Sequence, residues 1–313
     1  MARETFEDWV AVETGSTAIQ ALVKASVTER IGRSENMASD TKQVPRSGNF
    51  AISNVAKGAA YSETAGTNDY VELIARKAGG VVRIAEEDLL DSSVDILATK
   101  RNDAARNMAL YFDNATLGTS AASNGTTVPY ESVYKAVRTT DSNVSYVADA
   151  NYVSGSATYL NLSNTLAKVE DSIWFDDSNI FVAASPAFKA VFRNIVDTNG
   201  RPIFIENGGG TQDDAGDTLF GRQVNWTMGA RVSATATSAP AGNPLLIVGN
   251  RDLLIKGMAK LSPNIASPNP GFALQPGRSG IGFLTDEALM KAAMRRGFKV
   301  GAAPAFAVFE KTS

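Results

Sequence analysis

The chain has 313 residues, is 44% hydrophobic and carries 30 basic against 33 acidic residues for a formal charge of −3. That is enough apolar content for one large or two modest cores, and the balanced charge gives no footprint for tight nucleic-acid binding. Cysteine and histidine are both absent, which removes disulfides, thiolate nucleophiles, Cys/His zinc sites, imidazole bases and the Ser-His-Asp triad, and leaves carboxylate, lysine and magnesium chemistry.

No apolar run approaches the roughly 18 residues of a membrane span, and Met1–Glu7 lacks the hydrophobic centre of a signal peptide, so cytoplasmic synthesis with no membrane partner is expected. Met1 to about Arg46 mixes short helical pieces such as Ala18–Lys24 with polar residues and reads as an extended arm. Ordering such an arm costs about 1–2 kcal/mol per residue, so contacts must fix it, and neighbouring copies can supply them.

Phe50–Val55 reads as a strand and Tyr70–Ala75 as its return, with Gly58–Thr67 as the tip. A long ribbon with so little core is marginal alone, and self-assembly is the natural way to cover it. After a β-like piece at Val81–Ile84, the acidic run Glu86–Ser93 suits a helix start or a break between helices. A helix from about Val94 to Leu117 follows, with Leu97, Ala104, Met108, Phe112 and Ala115 as its apolar stripe. Its other faces carry Asp95, Lys100, Arg101, Asp103, Arg106 and Asp113, and Gly118 can cap it.

Thr119–Asn161 reads mostly as loop, anchored by Val128-Pro129-Tyr130 and Tyr146-Val147. An α/β pattern then begins. Leu166, Val169 and Ile173 mark a helix face, Ile180–Ala184 is a compact strand, and Ser185-Pro186 opens a helix carrying Phe188, Val191, Phe192 and Ile195. Trp174, Phe188 and Phe192 belong to the core by this spacing. Asp197–Gly200 is a turn and Arg201–Phe204 an edge segment. Asn207–Asp214 lacks the Gly-Lys-Ser/Thr that closes a phosphate loop. Val224–Thr227 and Leu245–Val248 are strands, while Glu287–Arg296 has high helix propensity. The acid pairs Asp176/Asp177 and Asp213/Asp214 fit solvated turns better than metal sites, and the sequons at Asn124 and Asn225 are accidental without secretion.

In this order the segments resemble the major capsid proteins of tailed bacteriophages, the HK97-type fold. The resemblance rests on the extended loop near Lys57–Lys77, Asp88-Leu89-Leu90-Asp91-Ser92 before the long helix, Val182–Pro186, Asp197–Pro202, Leu219–Val224, Ile247–Asn250, and Arg295-Arg296-Gly297 through Pro304-Ala305-Phe306. It implies an α+β fold with an N-terminal arm over 1–48, an E-loop over 49–84, a peripheral domain of spine helix and long strands over 85–120 and 253–300, and an axial domain over 121–252 and 301–313. It also turns Glu287–Arg296 into a long strand, against local propensity.

The function implied is that of a structural shell protein forming pentamers and hexamers of an icosahedral head around double-stranded DNA, with no cofactor and no catalysis. Its implied partners are further copies of itself, a portal protein, weakly contacted DNA and, in some relatives, a decoration protein. Its place is the virion, assembled in the host cytoplasm, with expansion of a procapsid. The arm begins near Met1, so a separate scaffolding protein is expected. Lys57, Tyr61, Glu63, Tyr70, Glu72 and Arg76 on the hairpin are the interface candidates. Arg101 and Arg106 on the spine helix are candidates for DNA or scaffold contact, with helical surface ion pairs to Asp103 and neighbouring acids as the ordinary alternative. The loop tip has no lysine and Lys57 lies on its flank, with Asn264 or Asn269 as the only partners suggested, so the isopeptide crosslink of some relatives is not expected. The alternatives are an encapsulin shell and, further off, a carboxylate- or magnesium-dependent enzyme at Asp213/Asp214.

Overall fold

A short helix opens the described part of the chain. The computed structural model describes residues 26–47, 52–61, 68–92, 95–196, 204–205, 217–260, 271–277, 282 and 284–312. Ser26 caps α1 (Val27–Ile31) by accepting the Glu29 N–H, and the chain continues into β1 (Arg33–Met37) and β2 (Thr41–Ser47). β3 (Asn68–Ile74) pairs antiparallel with β2, Thr41 opposite Ile74 and Pro45 opposite Tyr70.

This corrects the expected hairpin, because residues 52–56 form no strand and the return segment runs along Thr41–Ser47 instead of Phe50–Val55. The observed register lets Leu73 bury with Met37, Ile255 and Ala259, with Val44 at the margin, whereas Ile52 stays exposed. Phe50, Ala51, Glu63, Ala18–Lys24, Asp197–Gly200 and Asn207–Asp214 lie outside the described residues.

β4 (Arg76–Ala85) is longer than the expected Val81–Ile84 and leads into α2 (Glu86–Asp91) and the spine helix α3 (Ile96–Leu117). Asp95 caps α3 by accepting the Ala98 N–H at 2.9 Å. Only the last turns of α3, Phe112 to Leu117, are buried, and there every face is covered. Asp113 is therefore buried, not on an outer face as expected. Gly118 ends α3 with φ −121°, so it is not a left-handed cap; glycine is needed because a Cβ would stand 2.1 Å from the Arg231 carbonyl oxygen.

The expected loop after Gly118 contains α4 (Val133–Val137), capped by Ser132 on the Lys135 N–H. Val128, Tyr130 and Tyr146 are its anchors, and Val147 is exposed. β5 (Tyr152–Gly155) and α5 (Tyr159–Glu170) follow; Leu166 and Val169 are buried, but Ile173 lies past the helix end and is exposed. β6 (Ile180–Ala184) is buried throughout. Pro186 starts a 3-10 turn that runs into α6 (Lys189–Asn194), but the Ser185 hydroxyl does not cap it as expected and finds no partner among the described residues.

β7 (Phe204–Ile205), β8 (Thr218–Leu219), β9 (Arg222–Trp226), β10 (Leu245–Asn250), β11 (Leu254–Ala259), β12 (Gly271–Gln275), β13 (Glu287–Val300) and β14 (Phe306–Lys311) complete the chain. β13 is the strand expected against propensity. β4 pairs along one edge, Glu287 opposite Ala85 through Arg296 opposite Arg76, and β12 then β11 pair along the other. Local preference for helix cannot compete with ladders on two edges that together pair all fourteen residues of β13.

Two larger sheets result. The first has five strands, β1-β11-β13-β12 with β4 on the far edge of β13; the second has seven, β5-β14-β10-β6-β9-β8-β7. The seven-stranded sheet is buried on both faces because its residues alternate between two cores. Phe181, Ala183, Leu245, Ile247, Phe306 and Val308 face Phe112, Leu117 and Tyr134 of α3 and α4. Val182, Ala184, Leu246, Val248 and Phe309 face Leu162 and Leu166 of α5, Phe188 of the turn before α6 and Phe192 of α6.

Candidate assembly surface

The loop end of the β2–β3 ribbon, where Arg46 lies opposite Asp69, is clasped to the rest of the subunit by Arg46. Its guanidinium donates from Nε to Asp69 at 2.8 Å, from Nη1 to Asp141 at 2.9 Å and to the Gly301 carbonyl at 2.9 Å, while Asn143 donates to Asp69 at 2.7 Å. Two carboxylates on one fork hold the guanidinium more firmly protonated than usual, the Asp69 hydrogen bond being the largest contribution, and Arg46 in turn holds the Asp69 carboxyl below its ordinary range. The ribbon is thus held against the body up to its loop end, while the run beyond it, residues 52–61, is exposed apart from a half-buried Val55.

A second junction ties α1 to three elements at once. Asp113 on α3 is buried and accepts the Val27 and Thr28 N–H groups at 3.0 Å each, the Thr227 hydroxyl at 2.6 Å and the Ser26 hydroxyl. Burial pushes its pKa up and these four donors pull it back, with the upward push prevailing. Glu29 pairs with Arg296 on β13 and lies 3.8 Å from Lys256 on β11, both cations being almost fully buried. Arg30 donates to Asn225 on β9. None of these partners is within 80 residues of α1, so the short helix fixes the spine, the long strand and the seven-stranded sheet relative to one another.

The expected interface residues fall into three groups. Lys57 and Tyr61 stand exposed on the run after β2, Tyr61 at 86%, and Glu63 is outside the described residues. Tyr70 and Glu72 face outward from β3 into a cleft of about 360 Å³ shared with Arg46 and Asp141. Glu72 and Arg76 also line an adjoining cleft of about 600 Å³ with Glu131, Lys135 and Lys299. Arg101 on α3 is exposed; Arg106 is half-buried, and its Nε finds no partner among the described residues. The ion pairs with Asp103 offered as the ordinary alternative for these two arginines do not form among the described residues.

Arg46, Asp69, Asp113 and the Glu29 pairings were not anticipated, because each depends on partners brought together only by the fold. Asp176 caps a 3-10 turn and Asp177 pairs with Arg222 at 2.6 Å, so this acid pair is a turn element. Among the described residues no three acidic side chains converge on a metal-sized space, and no helix is long and apolar enough to cross a membrane. Asn225 and Thr227 of the second sequon are buried.

Comparison with known proteins agrees with this architecture. A chain from Mycobacterium phage Ogopogo is 17% identical and superposes at a TM-score of 0.70 over 100% of both chains. A chain from Microbacterium phage Oxtober96 is 14% identical at 0.68, covering 97% of each. The capsid of a native GTA particle is 15% identical at 0.67, covering 98% of this chain and 96% of that one. No curated protein sequence matches. The sequence model of the phage capsid family matches residues 9–310, so the fold is the HK97-like capsid fold and the chain belongs to the phage capsid family.

Proposed function

We propose that this chain is the major capsid protein of a tailed phage and closes into pentamers and hexamers of an icosahedral head around double-stranded DNA. The family match along almost the whole chain carries the reading. The run at 52–61 supports it, since it buries little within its own subunit. Each arm and E-loop lies across adjacent copies, so many modest contacts add up to a stable shell. A net charge of −3 suits a container wall, because strong phosphate attraction would hold the polymer at the wall.

In this reading the arm covers 1–48, the E-loop 49–84, the peripheral domain 85–120 with 253–300, and the axial domain 121–252 with 301–313. Lys57, Tyr61, Glu63, Tyr70, Glu72 and Arg76 meet neighbouring copies, and Arg101 and Arg106 meet scaffold or enclosed DNA. A scaffolding protein and a portal complete the assembly in the host cytoplasm, and the chain itself has no catalytic task. An encapsulin shell is not favoured by the phage matches.

Electron microscopy of the chain co-produced with its scaffold tests this: closed shells or capsomers are expected, and monomers across a range of salt would overturn it. Deleting Gly58–Thr67 should leave soluble subunits that fail to close shells; unchanged particles would remove the loop from the mechanism.

A further inference from the structure

We propose that the cleft around Arg76 receives the acidic face of α2 from a second copy of this chain, an inference that rests on the shell reading and gives it a specific contact. Arg76 starts β4 directly across from Arg296 on β13. Arg296 is neutralised by Glu29. Arg76 has no ion pair or hydrogen bond among the described residues, and its Nε is buried without a partner. The guanidinium packs instead on Gly125, whose φ of +75° and lack of a Cβ leave room for it; a Cβ there would be 2.8 Å from the Arg76 Cζ.

Such an arginine is costly as it stands, because its charge is partly desolvated and nothing repays it. The cleft does not supply the anion itself. Of its two carboxylates, Glu131 pairs with Lys299 and Glu72 is exposed on β3, while Lys135 adds another cation with no partner among the described residues. A guanidinium fork with a lysine beside it suits a carboxylate. Ile74, itself 36% exposed, and Pro129 add apolar wall to the same cleft.

α2 has the complementary face. It buries no residue, and Leu90 is 83% exposed. Glu87, Leu90 and Asp91 share one side at spacings of three and four residues. Glu86 turns inward, accepting the Gly277 N–H at 2.7 Å, while Glu87, Asp88 and Asp91 stay exposed, Glu87 and Asp91 beside Leu90. Glu87 and Asp91 have no ion pair among the described residues. Docked, they would reach Arg76 and Lys135 while Leu90 covers Ile74 and Pro129. The α2 that docks has to be another copy's, because the rest of the ten-residue β4 stands between Arg76 and α2, a separation of about 30 Å at roughly 3.3 Å per residue.

The cysteine-free background makes the contact directly testable. Ile74→Cys with Leu90→Cys, both at exposed positions, is assembled and oxidised. Multimers on a non-reducing gel that return to monomer with reductant are expected, since a disulfide cannot bridge about 30 Å inside one subunit. Charge reversal is the second arm. Arg76→Glu alone, and Glu87→Lys with Asp91→Lys alone, should each lose closed shells, and combining all three reversals in one chain should restore them. Wild-type shells with only monomers on the oxidised gel, or reversals without effect or without mutual rescue, would overturn the pairing and leave the shell reading intact. Absence of wild-type shells would overturn both.

Discussion

The Val27 N–H donates to the Asp113 carboxylate at 3.0 Å across 86 residues of chain. Helix α1 is thereby capped by a side chain of α3, with Ser26, Thr28 and Thr227 completing the set of donors. Asp113→Ala should leave these donors unpaired in a dry site and destabilise the subunit by about 3 kcal/mol or more. Asp113→Asn should also destabilise, since it places an amide N–H₂ among groups that all donate. Denaturant unfolding of the soluble subunit measures both, and an unchanged midpoint for Asp113→Ala would mean that α1 is not anchored there.

Glu310 should govern part of the acid sensitivity. Burial alone would raise its pKa, but hydrogen bonds from Asn243 at 2.7 Å, Tyr152 at 2.7 Å and Tyr134 at 2.8 Å, with the nearby Arg138 charge, outweigh burial and bring it below 4.5. The folded value lies under the unfolded one, so this contribution is complete above 4.5 and is lost as pH falls through the folded value. Glu310→Gln should cost about 1–2 kcal/mol near neutrality and flatten the decline of stability below pH 4.5. A decline as steep as the parent's would assign the acid limb to other carboxylates.

Arg46→Ala should free the ribbon more than it unfolds the body. The clasp is partly solvent-screened, so its loss is worth about 1 kcal/mol globally. Locally it removes the charged link among Asp69, Asp141 and the Gly301 carbonyl. Hydrogen exchange should therefore quicken at the β3 amides from Asp69 to Ile74, while β10 and β14 stay protected. Equal protection of β3 in both proteins would show that Leu73 packing alone sets the ribbon.

The order of segments was legible in the sequence and the pairing was not. β6 and β10 are short apolar runs buried on both faces, and such runs announce themselves. β13 was readable only through family likeness, because Glu287–Arg296 carries helix-forming residues and its strand state comes from neighbours on two edges. β2 was missed for the opposite reason. Its Thr-Lys-Gln-Val-Pro-Arg-Ser has little apolar alternation, and Pro45 reads as a break although an edge ribbon tolerates it. Phe50–Val55 looked more like a strand than the segment that forms one. The clasp and the Asp113 junction join residues from 23 to 255 positions apart, a separation no local pattern encodes.

Two glycines separate close packing from backbone freedom. Gly118 has a φ that any residue adopts, yet a Cβ would press on the Arg231 backbone, which is held by a β-bridge to Pro244 and by the Asn114 side chain donating to its carbonyl. Gly118→Ala must move that backbone or the end of α3, costing about 1–3 kcal/mol. At Gly80 on β4 a Cβ would stand in open space, with no atom within 4 Å, and the φ is not positive. Gly80→Ala should be neutral or stabilise by roughly 0.4–1 kcal/mol, because it restricts the unfolded chain and suits a strand. Thermal unfolding of the two variants side by side checks the contrast. If both shift alike, the contact between the end of the spine helix and Arg231 is not what makes glycine necessary at this position.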